Sequence, residues 1–340
     1  MPEGRRRQEI DRMTRDRGRL SRRSVLASSL LVASGAGAQP VAYPAHPVRI
    51  TVPYPAGGTT DVVARVVAEA MSRRLGQPVV IDNRPGAGVT VGSSFVARAE
   101  PDGHSLLVTT LAHAINPSLF RTLPYDSEQD FVPVGMIGLT PLVLVVNPGL
   151  EARDLAGFIA LLRAEPGRHA YGSAGVGSPM HVAPELFRQL TGTEVRHVPY
   201  RGEAPALNDL VAGHITFAID PVTVAAGLVR SGRLRAIAVA SAQRAEIMPE
   251  VPTMAEAGLP GFEAYTWTAL MAPRATPPAI VDRLNRDLNA TLANPQVRGR
   301  LAELGVELTR SFSPAETRDF VRAETAKWAP IVRASGAVLD

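Results

Sequence analysis

The string Pro53-Tyr54-Pro55-Ala56-Gly57-Gly58-Thr59-Thr60-Asp61 offers anion chemistry without a catalytic side chain. Two glycines let a ligand come close to the main chain, and two prolines stiffen the approach. Residues 48–52 just before it form a β-branched run that reads as a strand. Just after it, Val62, Val63, Val66, Val67 and Ala70 recur at helical spacing, broken by Arg65 and Glu69. A strand, a glycine turn and a helix opening on Thr59, Thr60 and Asp61 gather unpaired backbone N–H groups where the positive end of the helix dipole lies. The plain alternative is a capped strand-to-helix turn, of which any α/β protein has many.

Two further stretches share these mechanics. Tyr171-Gly172-Ser173-Ala174-Gly175-Val176-Gly177-Ser178 is followed by Pro179 and a helical pattern, with Ser178 as a candidate N-cap and Pro179 at the first helical position. Pro199-Tyr200-Arg201-Gly202-Glu203-Ala204-Pro205 is the third. Three such turns point to a cleft that grips an anion.

Other chemistry is missing from the sequence. The loop at 172–178 lacks the Lys-Ser/Thr of a phosphate loop and the G-x-G-x-x-G order of a dinucleotide site. There is no G-x-S-x-G nucleophile elbow. Seven histidines are scattered without H-E-x-x-H or close ligand spacing, so neither a metal nor a cofactor is expected. His181 could reach the cleft but reads more simply as a surface or packing histidine, and Trp267 could be a cleft wall but reads more simply as a core residue. Asp61 and Asp220 could meet a ligand ammonium, or could serve only a helix start and a turn before Pro221.

The elements that must position these turns alternate along the chain. Strand patterns fall at 78–83, 106–109 and 132–137, with helices at 91–99 and 112–120 between them. The apolar run 141–148, with proline at both ends, is the candidate crossing into a second lobe. There the alternation restarts: helices at 155–164, 180–190, 204–212 and 222–230, strands at 170–172, 195–199, 215–219 and 234–240. A second run, 264–271, carries the chain back to C-terminal helices at 277–293, 296–304 and 314–333. This is the pattern of βαβ units and a mostly parallel sheet. The expected lobes are 43–140 plus 262–340, and 141–261, hinged by the two crossing segments, with ligands where strands end and helices begin.

The chain of 340 residues is 45% hydrophobic, long enough for two such lobes, and its +4 charge misleads. Nine arginines against four acids fall in residues 1–38, leaving 27 basic and 28 acidic residues beyond. That balance argues against nucleic acid as a partner. Residues 1–38 read as an export signal: Ser21-Arg22-Arg23-Ser24-Val25-Leu26 is a twin-arginine pattern, an apolar stretch follows, and Ala36-Gly37-Ala38 fits a cleavage site before Gln39. The chain has no cysteine, which excludes disulfides and a lipid on a mature N-terminal Cys. The mature protein is therefore expected to be periplasmic, with no membrane anchor.

Several stretches in order resemble one family. They are residues 53–61, Asn83-Arg84-Pro85-Gly86-Ala87-Gly88, Pro101-Asp102-Gly103, Ile115-Asn116-Pro117, Leu123-Pro124-Tyr125-Asp126, His197-Val198-Pro199-Tyr200-Arg201-Gly202, Val251-Pro252-Thr253 and Ala255-Glu256-Ala257-Gly258. From about residue 43 to the C-terminus the chain is similar to Bug-type receptors, the periplasmic solute-binding components of tripartite tricarboxylate transporters. The resemblance implies a two-lobed, periplasmic-binding-protein-like (Venus flytrap) α/β fold, a small organic carboxylate in the interlobe cleft, and transporter membrane subunits as partners of a monomer. By position, the 57–60 turn and the 173–178 loop correspond to the family's ligand-holding turns, and the turn after Tyr200 and Asp220 lie near the same cleft. The expected ligand-binding set is Ala56, Gly57, Gly58, Thr59, Thr60, Asp61, Thr110, Ser173, Gly175, Gly177, Ser178, Tyr200, Arg201 and Asp220. Ala56 stands where a second proline is common, and Val89 where the glycine loop often continues with glycine; both make ligand identity less transferable. Two other functions share such a cleft, a ligand-dependent sensor for a membrane kinase and an exported α/β hydrolase or isomerase. The missing catalytic motifs favour binding without chemistry.

Overall fold

The computed structural model describes residues 43–340 except Thr309, so the expected export signal at 1–38 lies outside the described residues. The strands are β1 (Val48–Val52), β2 (Val79–Asn83), β3 (Ser105–Thr110), β4 (Phe131–Val146), β5 (Ala170–Ser173), β6 (Arg196–Pro199), β7 (Phe217–Pro221), β8 (Arg235–Val239) and β9 (Tyr265–Pro273). They hydrogen-bond in the order β2-β1-β3-β9-β4-β7-β5-β6, with β8 also on β4. Ile50, Leu106, Leu107, Tyr171, Phe217 and Ile219 are fully buried, as expected of strands covered by helices on both faces.

The fold is two-lobed because β4 belongs to both halves of the sheet. From Phe131 to Pro141 it pairs antiparallel with β9, and from Leu142 to Val146 with β7 and β8. The return crossing lies at Ala264, whose N–H donates to Ala240 O in one half, beside Tyr265, which pairs with Pro141 in the other. The sequence pattern divides this region into strands 132–137 and 141–148, whereas the structure has a single strand of 16 residues. Proline within a strand is tolerated at irregularities, and the register of β4 slips between Pro133 and Gly135 and between Met136 and Gly138. A Cβ on Gly138 would lie 2.4 Å from Val306 Cγ1, so the slip also lets the C-terminal segment pack close. The sheet is parallel at β1–β2, β1–β3, β5–β6 and β5–β7 and antiparallel at both crossing strands, and is therefore mixed rather than mostly parallel.

The helices are α1 (Thr59–Leu75), α2 (Thr90–Ala97), α3 (Ala112–Leu119), α4 (Leu155–Ala164), α5 (Pro179–Thr191), α6 (Glu203–Ala212), α7 (Val222–Arg230), α8 (Pro278–Leu292), α9 (Pro295–Glu303) and α10 (Pro314–Ser335). α10 starts on a capping box, Ser313 with Glu316, and its C-cap Gly336 is left-handed. It packs on α3 and β4 and also on α5 of the other half. Trp267 and Trp328, both fully buried, donate their indole N–H groups to Glu324 Oε2 at 3.2 and 3.0 Å. Trp267 is thus core, as its sequence context predicts.

Candidate functional site

In the first lobe the Gly57 turn follows β1, and Thr110 ends the parallel neighbour β3. Tyr54 Oη and Thr110 Oγ1 are 2.6 Å apart, which ties the two strand ends together. Gly57 takes φ +83°, a conformation that suits glycine, and its N–H donates to Asp61 Oδ2 at 2.9 Å. Asp61 is buried and also accepts from Arg65 Nε at 2.9 Å and Asn83 Nδ2 at 2.9 Å. Burial pushes its carboxyl up, but the bonds from Arg65, Gly57 N–H and Asn83 outweigh burial and hold it below the usual carboxylate range. Asn83 additionally donates to Tyr54 O at 3.1 Å. The carboxylate of Asp61 is committed to the turn. What the turn offers outward is the exposed backbone of Ala56, Gly57 and Gly58 and the half-buried Thr59 and Thr60, whose N–H groups the first turn of α1 cannot satisfy.

In the second lobe the loop after β5 is tied by its own side chains. Ser178 occupies the N-cap position of α5 with extended backbone, but its Oγ donates to Gly175 O at 2.7 Å instead of accepting from the helix. Gly175 N–H donates to Ser173 Oγ at 3.1 Å, and Gly177 N–H to His181 Nδ1 at 3.2 Å. The imidazoles of His181 and His197 stack at 4.1 Å, and His197 also stacks on Tyr171 at 4.9 Å. Burial lowers His181 to about 3 and His197 to about 4, so both rings are neutral at pH 7. Ser173 Oγ lies 2.6 Å from His197 Nε2, a contact that invites comparison with a nucleophile and its base. Ser173 is buried, and no described carboxylate orients His197; the pair holds the loop.

The second-lobe loop touches the first lobe. A Cβ on Gly177 would lie 2.1 Å from Leu119 Cδ2 on α3, so the glycine loop of one lobe touches the helix following Thr110 in the other. The Glu203 carboxylate on α6 bears on the Tyr54 hydroxyl, which burial pushes up to about 12. Asp220 is the penultimate residue of β7, is 1% exposed, and its Oδ2 has no hydrogen-bond partner among the described residues. Burial, then Glu203, holds its carboxyl well above the usual range. Tyr200 turns its hydroxyl away to Asp209 Oδ2 at 2.7 Å, while its backbone N–H bonds Ser173 O at 3.0 Å. Arg201 is exposed and has no side-chain partner among the described residues.

Three contributors escaped the sequence reading: Tyr54, Asn83 and Glu203. Tyr54 could have been marked as an aromatic held between two prolines, and Glu203 as an acid opening the third turn. Nothing local marks Asn83. The fold also assembles His46, Asp102 and His104, whose ligand atoms lie within 4.8 Å of one another, a grouping the sequence spacing did not suggest. It sits at the starts of β1 and β3, the opposite end from the Gly57 turn. A cavity of about 950 Å³ between α3, the start of β4 and α10 includes no residue of the three turns.

A two-lobed α/β protein with a helix-opening glycine turn on each lobe belongs to the class of periplasmic-type binding proteins. Residues 63–337 match the family described as "Tripartite tricarboxylate transporter family receptor", and the chain belongs to that family. It is 41% identical over 315 residues to protein BugT of Bordetella pertussis, covering 91% of this chain and 96% of that one. It is similar in structure to R. palustris Rpa4515 with adipate, at TM-score 0.78 and 37% identity over 87% of this chain and all of the other. It is likewise similar to periplasmic binding protein BugD, at TM-score 0.75 and 34% identity over 87% and 99%. The resemblance drawn from the motifs is therefore correct.

Proposed function

We propose that this chain is an extracytoplasmic solute-binding receptor that captures a small carboxylate between its lobes and delivers it to the membrane subunits of a tripartite tricarboxylate-type transporter, without chemistry of its own. The observation that carries this reading is that each lobe presents a helix-opening glycine turn, 57–60 in one and 173–178 in the other, with the second lobe's loop in contact with the first at Leu119. Family membership and the adipate of Rpa4515 support the ligand class. The lobes move as the bodies 43–140 plus 262–340 and 141–261 on the two crossing strands. Within the described residues no helix is long and apolar enough to cross a membrane, in keeping with a periplasmic receptor released from its signal at Gln39. Intact-mass analysis of the exported protein should give a chain starting at or near Gln39 with no lipid; retention of residues 1–38 contradicts this.

A calorimetric panel of C4–C8 mono- and dicarboxylates against their neutral amides tests the grip. A charge-assisted hydrogen bond contributes roughly 1.5–3 kcal/mol, so the amides should bind about one to two orders of magnitude more weakly. Gly58→Val is the matched variant. Gly58 has φ −74° and its Cβ would meet nothing nearer than Pro55 O at 3.5 Å, so valine fits the turn but places methyl groups over the N–H donors. Binding should weaken with little change in melting temperature. Equal affinity for acids and amides would remove the anion grip.

A further inference from the structure

We infer that the hollow between α3, the start of β4 and α10 is a second binding site, for a small amphipathic anion with one carboxylate and an aromatic or medium-chain apolar body. Its lining residues all fall within 113–133 and 271–329, away from the three glycine turns. The inference goes beyond the carboxylate grip and stands independently of it.

Size and lining come first. The hollow holds about 950 Å³, at the upper end of the range for small-molecule sites, roughly 300–1,000 Å³. Phe131 and Met271, 4% and 1% exposed, line it together with the half-buried Phe120 and Val321. Two stretches that stand out in the sequence, 115–117 and 123–126, supply Pro117, Leu123, Tyr125 and Asp126 to its wall. That wall is built in advance. His113 Nε2 donates to Ser127 O at 2.8 Å, and Asn116 Nδ2 donates to Gly88 O at 2.9 Å and to Tyr125 Oη at 3.2 Å. Tyr125 and His113 each meet Phe131 edge to face, with ring centroids 5.8 and 5.2 Å apart. Side chains already held in place lose little freedom when a ligand arrives.

The charges decide what fits. Six charged residues border the hollow, four arginines and two acids, and four of the six have partners. Arg322 Nε donates to Glu128 Oε1 at 2.7 Å, and Arg121 pairs with Asp340 at 3.3 Å. Asp126 Oδ1 accepts from the N–H groups of Glu128 and Gln129, each at 2.8 Å. Arg274 and Arg318 have no side-chain partner among the described residues. Burial lowers His113 to about 4, so it adds no charge at pH 7. Two unpaired guanidinium groups thus border one hollow, on a chain with 27 basic and 28 acidic residues beyond residue 38. Both stand on fixed backbone. Arg274 N–H donates to Asp130 O at 2.9 Å just past β9, and Arg318 follows the capping box that starts α10. Two exposed arginines alone are an ordinary surface. Beside buried Phe131 and Met271 they match a carboxylate, which a guanidinium takes by two parallel hydrogen bonds, on an apolar body. A dicarboxylate would set its second charge against those apolar side chains.

The test is calorimetry of the mature chain with hexanoate, octanoate, benzoate and 3-phenylpropionate, each against the alcohol of the same skeleton. At least one acid should bind saturably at millimolar concentration or below, about tenfold more tightly than its alcohol. The double variant Arg274→Gln, Arg318→Gln should weaken that acid about tenfold and leave the alcohol as it was. Ala326→Trp, at an exposed position of α10 that borders the hollow, should fill it and abolish binding of both. None of these positions carries a buried or paired side chain, and thermal melts check that the variants fold. Gly58→Val, altered only at the 57–60 turn, should bind the acid as the wild type does. Absence of saturable binding by all four acids, or equal affinity for acids and alcohols, overturns the second site. Binding that is lost in Gly58→Val and untouched by the other variants overturns it as well, while leaving the carboxylate grip standing.

Discussion

Gly177→Val is expected to abolish measurable ligand binding while leaving each lobe folded. Gly177 has φ +78°, and its added Cβ would lie 2.1 Å from Leu119 Cδ2, 3.3 Å from Cγ and 3.4 Å from Cδ1. The head of a core leucine, itself 2% exposed, stands in the way and must shift. A β-branched residue in the left-handed region costs about 1–3 kcal/mol, and overpacking of this kind about 1–3 kcal/mol more. Leu119 and Gly177 lie on opposite lobes, so the clash falls on the approach of the lobes and much of the cost appears in affinity. Two to four kcal/mol is roughly 30- to 1,000-fold in Kd. Calorimetry with a carboxylate that the wild type binds measures it, and small-angle scattering should show the variant remaining expanded. Leu119→Ala in the Gly177→Ala background separates the two terms: it relieves the clash and leaves the backbone strain, so part of the affinity should return. Wild-type affinity in Gly177→Val would mean that the Leu119 contact is no part of the ligand-holding form.

The features legible in the sequence were the ones that local chemistry decides. β1 at Val48–Val52, α4 at Leu155–Ala164 and α7 at Val222–Arg230 coincide with their sequence patterns, because β-branched runs and helical periodicity leave little room for tertiary override there. The glycine turns were visible for the same reason. β4 was not, since Pro141 read as the start of a separate strand, and only the change of partner from β9 to β7 at that point shows why one strand runs through it. Side-chain direction within the turns was also hidden. Ser178 looks like a cap, but its hydroxyl donates to Gly175 O three residues back. The grouping of His46 with Asp102 and His104 spans more than fifty residues, and no local pattern encodes it.

Asp61→Ala should be among the most destabilising single changes outside the hydrophobic core. Three donors lose their acceptor at once: Gly57 N–H, Arg65 Nε and Asn83 Nδ2, the last of which also orients Tyr54 through its carbonyl. Arg65 is half-exposed and recovers water cheaply, so its pair with Asp61 carries the smaller share. Gly57 is exposed and Asn83 half-buried, so losing the charged acceptor costs each donor about 1.5 kcal/mol, the low end of the range for such bonds, for a total of roughly 3 kcal/mol. On the scaling for domains of 150–250 residues, that lowers the melting midpoint by about 6–12 °C. Asp61→Asn keeps one carbonyl acceptor without the charge and should regain about half of the loss. The pH dependence has a fixed sign. The folded pKa of Asp61 is below its unfolded value, so its contribution is complete above the unfolded carboxylate range of about 4 and is lost as pH falls through the folded value. Melting curves of wild type and Asp61→Ala should therefore differ most near pH 7 and converge in acid. A difference that persists unchanged to about pH 2 would place the stabilisation in packing rather than in the ionised carboxylate. Because this carboxylate sets the path of the main chain from Gly57 to Thr60, ligand affinity should fall in Asp61→Ala even at temperatures where the protein is fully folded.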